Sequence, residues 1–261
     1  MNRLISRLGI VGAVALMLNI LSGAMPPKAK SPPPQNPGTS GTSPELRSLG
    51  EFVRGPRGSS QIALTFDAGA NAECFDDLII ALETAKVHST FFVTGRWAEK
   101  NRDCTAAITQ HGHEIGNHTW NHPNLTQQPD QVVREEITRA ETILTQISGH
   151  DPKPLWRAPY GARDARVLKI ASNLGYRSIY WTIDTLDGVE PVKTKDFLID
   201  RITSRSDADL DGAIILMHVG ERSTASALPP IISNLQGRGF QLVPVSALLA
   251  NEHGVATPGK N

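Results

Sequence analysis

Net charge is absent from this chain: Lys+Arg and Asp+Glu are equal at 26 each. No long-range field therefore draws it to nucleic acid, and its partner must be recognised by shape and local chemistry. Cysteine is almost absent, with Cys74 and Cys104 the only two in 261 residues. Neither lies near the N-terminus, so nothing there supports a lipid-modified start. Internal repeats are absent as well. Long apolar runs are missing except for one, and it begins the chain.

Residues 1–24 carry Arg3 and Arg7, an apolar run over 8–21 broken by glycines and Asn19, and then Ser22-Gly23-Ala24. Basic residues, an apolar centre and a small-residue site make a secretory signal peptide, with an uncleaved membrane anchor as the alternative. Either reading sends the remainder across a membrane, to a secreted or cell-envelope location in the periplasm or cell wall. Residues 25–54 are read as a Pro/Ser/Gly-rich disordered spacer, including Pro32-Pro33-Pro34 and Gly38-Thr39-Ser40-Gly41. A catalytic-size domain is expected over 55–252 and a flexible tail over 253–261.

Within the domain the pattern alternates. Short apolar runs suited to burial on both faces occur at 62–66, 90–94, 114–118, 155–158, 178–183, 213–218 and 241–245. Helical patterns fall between them at 72–87 with Asn71 as a cap, and at 97–110, 164–174, 194–204 and 226–236. The longest helix is marked by Val133, Ile137, Ala140, Leu144 and Ile147 at helical spacing. Seven alternations predict an α/β fold, either a barrel or a doubly wound sheet, with its site at the C-terminal ends of the strands.

Polar side chains fall at those ends. The first strand ends in Asp67, the third in a turn carrying His118 and His122, the fourth in Arg157, the fifth in Asp184 and the sixth in His218. Two imidazoles four residues apart can converge on one transition metal, or they can be surface-turn histidines. An Asp after a strand can be a helix cap, and Arg157 a salt-bridge partner. Five such groups at equivalent ends point instead to one catalytic mouth.

The stretches Thr65-Phe66-Asp67-Ala68-Gly69, His118-Thr119-Trp120-Asn121-His122, Arg157-Ala158-Pro159-Tyr160, Asp184 with Asp187-Gly188, and Leu216-Met217-His218 resemble, in order, the five motifs of the NodB-homology polysaccharide deacetylases. The resemblance spans about residues 60–248. It implies a deformed, incomplete (β/α) barrel of about seven parallel strands, hydrolysing N-acetyl groups on a cell-wall or chitin-like polysaccharide. It also implies one divalent transition metal, zinc or else cobalt or nickel, on His118 and His122, with Asp67 also able to contact it. Asp67 would be the general base, Arg157 its orienting residue, His218 the general acid, Asp184 the residue tuning that acid, and the Tyr160 backbone N–H an oxyanion donor. The expected partner is an N-acetylated polysaccharide, with no nucleic acid and no membrane contact beyond the N-terminal segment, and the expected state is a monomer.

Two departures stand out. Ala68 occupies the position where the family usually has a second Asp, the third metal ligand; Asp67, Asn71, Glu73 or water could fill the gap. Gly188 replaces a common Trp, which removes an apolar wall near the substrate. A carbohydrate-binding pseudoenzyme and an O-acetyl esterase are therefore the alternative functions. Cys74 and Cys104 are expected to form a disulfide between the first two helices, or else to remain free thiols. His111 and His113 are read as packing or hydrogen-bonding residues, Trp97, Trp156 and Trp181 as core, and Trp120 as either core or sugar platform.

Overall fold

The computed structural model describes residues 43–253. The expected signal or anchor segment, most of the spacer and nearly all of the tail lie outside the described residues. The strands are β1 (Gln61–Ala68), β2 (Thr90–Val93), β3 (Glu114–Asn117), β4 (Leu155–Trp156), β5 (Arg177–Ser178), β6 (Ile183–Asp184), β7 (Ile214–His218) and β8 (Gln241–Leu242). They pair in parallel in the order β5-β4-β3-β2-β1-β7-β6, while β8 pairs only with the start of β1. Seven parallel strands thus form a curled half-barrel.

Helices α1 (Pro44–Ser48), α2 (Phe75–Thr84), α3 (Gly95–Lys100), α4 (Arg102–Gln110), α5 (Asp130–Ser148), α6 (Ala165–Asn173), α7 (Lys195–Thr203), α8 (Asp207–Leu210), α9 (Arg222–Gly237) and α10 (Val245–Ala250) fill the connections. Among the described residues no helix is long and apolar enough to cross a membrane.

Strand alternation sorts β1 into two faces. Ile62, Leu64, Phe66 and Ala68 join the large cluster packed against α2 and α9, whereas Ala63 joins Phe92, Leu155, Ile179 and Ile214 on the opposite face. Val245 and Leu248 of α10 close that second cluster. Asp67 shares the Ala63 face, so the polar end of β1 caps an apolar interior. The longest helix, α5, buries Val133, Ile137, Ala140 and Leu144 as its spacing predicts, and it stops at Gly149, whose φ of 73° suits a residue without Cβ.

Several expectations change. The single strand anticipated at 178–183 is one extended segment whose first part, β5, pairs with β4 and whose last part, β6, pairs with β7. The first and last strands of the sheet are therefore consecutive in the chain. The helix anticipated from Asn71 starts at Phe75, because Asn71 turns its side chain onto the Glu73 N–H instead. The helix expected at 97–110 breaks at Asn101, which caps two helices with φ −122°. The apolar run at 241–245 becomes a short strand and then α10.

The spacer does not extend to residue 54. Glu51, Phe52 and Val53 are buried, Phe52 bridges Ile179 in parallel, and Gly55 N donates to Gly212 O. Cys74 and Cys104 are free, so the anticipated disulfide is not formed. Cys74 sits in a left-handed conformation ahead of α2, and Cys104 lies on α4.

Candidate active site

Asp67 and His218 are register partners on the neighbouring strands β1 and β7, which places a carboxylate beside an imidazole at the open end of the barrel. Arg157, just beyond β4, is fully buried and donates through Nη1 to Asp67 Oδ1 at 2.7 Å and to Thr65 Oγ1 at 3.0 Å. Its Nε donates to Ile179 O, and its guanidinium carbon lies 4.0 Å over the Phe92 ring. Burial alone would raise the Asp67 pKa, but Arg157, then His118 and His218, outweigh it and hold the carboxyl below its usual value.

The histidine turn is held from outside. Asn117 Oδ1 accepts from Thr119 N, Thr119 Oγ1 accepts from His122 N, and Glu136 accepts from both Trp120 N and Asn121 N. Thr119 and His122 are both left-handed, at φ 68° and 60°, a conformation costly for side chains with Cβ and sustained here by those bonds. Trp120 is buried over Gly95, where any Cβ would strike its ring at 2.2 Å, so it is core. Trp97 and Trp156 are core as expected, whereas Trp181 is only partly buried.

His118 Nδ1 lies 2.8 Å from Arg157 O, which can only accept, so Nδ1 carries the proton and Nε2 keeps its lone pair. That Nε2 stands 3.1 Å from His122 Nε2 and 3.4 Å from Asp67 Oδ2. Two ligands of one tetrahedral zinc sit about 3.3 Å apart, so the imidazole pair fits two positions of such an ion, with Asp67 the nearest carboxylate. Burial lowers the pKa of both rings, that of His122 to about 3, which keeps them neutral as ligands must be.

Among the described residues no third dedicated ligand joins the histidine pair. Ala68 is fully buried in the outer cluster, Glu73 is exposed and Asn71 is engaged in its own turn. No group of three His, Cys, Asp or Glu side chains able to hold a metal occurs among the described residues.

The partner of His218 differs from the one anticipated. His218 Nδ1 meets Asp187 Oδ1 at 2.7 Å, and its backbone N donates to Asp187 Oδ2 at 2.8 Å. Thr224, brought in by α9, adds a donor to Oδ2 at 2.6 Å. Asp184 accepts from Leu186 N and contacts His218 only through its field. Burial works against the imidazolium, yet Asp187 outweighs it and raises the His218 pKa to about 9. The His218 side chain keeps 32% of its surface accessible, enough to meet a substrate.

The Gly188 reading also changes: a Cβ there would lie 2.7 Å from the His218 ring, so the missing side chain is what lets the imidazole occupy its place. Tyr160 is left-handed at φ 58°, with its ring against His122 at 4.4 Å. His113 is buried, accepting from Ser89 N, and His111 pairs with Glu83, both away from the mouth as expected.

A family model described as polysaccharide deacetylase matches residues 54–179. A chitooligosaccharide deacetylase of Azorhizobium caulinodans is 31% identical over 211 residues, 76% of this chain and 98% of that relative. A peptidoglycan-N-acetylglucosamine deacetylase of Bacillus cereus is 32% identical over 200 residues, 74% of this chain and 70% of that relative. Among solved structures, the CE4 family pseudoenzyme BA3943 of Bacillus anthracis aligns with a TM-score of 0.70 and 27% identity, over 76% of this chain and 68% of that one. A mutant of it is described as having restored enzymatic activity. Strand order, mouth geometry and identity over most of both relatives converge: this chain belongs to the polysaccharide deacetylase family.

Proposed function

We propose that the chain hydrolyses N-acetyl groups on an exported glycan of the peptidoglycan or chitin kind. The observation carrying this reading is the pairing of Asp67, held by Arg157, with His218, held by Asp187, on adjacent strands. Their pKa values are pushed apart, one carboxyl down and one imidazole up, so base and acid coexist in the forms each role needs. Relatives named as deacetylases of chitooligosaccharide and peptidoglycan support the substrate class.

Asp67, ionised, takes a proton from the attacking water while Arg157 fixes one of its oxygens. The Tyr160 N–H donates to the developing oxyanion. His218, as imidazolium, protonates the departing amine, which is a poor leaving group without that proton. A zinc, cobalt or nickel ion on His118 and His122 would supply Lewis-acid polarisation of the acetyl carbonyl. The N-terminal segment supports export to the cell envelope.

Acetate release from an acetylated chitooligosaccharide or peptidoglycan fragment tests the reading. Asp67→Asn is expected to lose activity by about 10² to 10⁴-fold. His118→Ala is expected to abolish retention of metal, checked by elemental analysis. A second reading, the glycan-binding pseudoenzyme, is favoured by Ala68. It replaces the first if the wild type binds the glycan without releasing acetate while Ala68→Asp releases it. Acetate released from esters alone would make the chain an O-acetyl esterase.

A further inference from the structure

Glu51 lies upstream of the segment matched by the family model, yet its side chain is fully buried. Oε1 accepts from Arg163 Nε at 2.7 Å and Oε2 from Arg163 Nη2 at 3.2 Å, while Ser178 Oγ approaches Oε1 at 3.3 Å. Arg163 itself is only 5% exposed. Desolvation offsets much of the attraction in such a pair, so its main product is fixed geometry rather than net stability.

Two further contacts of Arg163 identify what is fixed. Nη1 donates to Gly161 O at 3.1 Å, and the guanidinium lies 3.5 Å over the Tyr180 ring. Gly161 at φ 63° follows Tyr160 at φ 58°, two consecutive left-handed residues of which the first carries a side chain. Strain of that kind persists only where the surroundings over-determine it. Trp181 and Tyr180 leave Gly161 no room for a Cβ, at 2.7 and 2.8 Å, and Arg163 ties down its carbonyl. The connection runs from Glu51 through Arg163 and Gly161 to Tyr160, whose ring rests on His122.

We infer that Glu51 and Arg163 are positioning residues for the reaction, through which the segment preceding the family domain holds the Tyr160 loop in its left-handed form and aims it at the histidine pair. Only the kinetic arm of the test rests on the proposed deacetylase activity. Glu51→Gln and Arg163→Lys are made in the full chain, together with the double variant Glu51→Gln/Arg163→Gln, which leaves no lone buried charge should a single variant fail to fold.

The expected result is a fall in kcat on an acetylated chitooligosaccharide of about 10-fold or more with KM changed less than about 2-fold, because the Tyr160 N–H acts on the transition state. Amide hydrogen exchange at residues 160–163 should quicken while exchange in β1 and β7 stays constant. Wild-type kcat in a folded variant overturns the inference, and so does unchanged exchange at 160–163. If the wild-type protein releases no acetate, the proposed function fails separately and the exchange arm decides alone.

Discussion

His218 is gripped by Asp187 at both ring and backbone, which makes its proton affinity a property of that one contact. In its proposed role of general acid it must be protonated, so activity is expected to persist up to about pH 9 and fall above it. Asp187→Asn removes the largest raising influence and leaves burial, which lowers the pKa, so the upper limb should move to lower pH by more than one unit, on the order of a 10-fold change in proton affinity. Asp184→Asn should move it much less. A pH profile of kcat checks both, and a larger shift from Asp184→Asn would reverse the assignment. For stability, a folded His218 pKa above the unfolded 6.5 contributes stability fully present below pH 6.5 and lost as pH rises through about 9. Gly188→Ala, which drives a Cβ into the His218 ring, is expected to lower kcat by about 100-fold from misplacement of the acid, measured by acetate release on folded protein.

That Asp67, His118, Arg157 and His218 meet at one mouth was legible because each follows or ends an apolar run and parallel strands present such ends together, and His122 was legible through its four-residue spacing from His118. Asp187 was not. Two carboxylates three residues apart cannot be ranked until the turn between them is known, and here Leu186 at φ 65° reverses the chain, with Asp184 accepting its N–H. Thr224 was missed because it lies inside α9, where a threonine carries no local signal of its distant acceptor.

At the scale of elements, strand positions were readable from apolar runs, but the division of 178–183 between two sheet edges was not, since periodicity does not encode partners. The upstream boundary failed for a different reason: Glu51-Phe52-Val53 is too short to register as an element, yet Phe52 is 2% exposed. Removing residues 1–42 should leave melting temperature and activity unchanged, whereas Phe52→Ala should cost about 3–5 kcal/mol through the cavity it leaves. Thermal and urea unfolding distinguish the two. A fall in stability on removing 1–42 would show that those residues pack against the domain.

For the molecule as a whole, acid is the vulnerable direction away from the site. His113 is buried and pushed down to about 4, first by burial and then by His88 and His111. The unfolded chain takes up this proton near pH 6.5 while the folded one refuses it until about 4, so stability declines as pH falls across that window. His113→Asn, whose Oδ1 can keep the Ser89 N–H bond, should flatten the decline, as read from urea midpoints at several pH values.

Because β5 and β6 are neighbours in sequence and only two residues long each, the sheet ends in two stubs, one of them already shadowed by Phe52. An edge so short offers a second chain almost no ladder of free amides to extend. Association through strand addition, the common route from open sheets to aggregates, is thereby discouraged by connectivity itself, in addition to the charged Arg177 and Asp184 that the two borders carry.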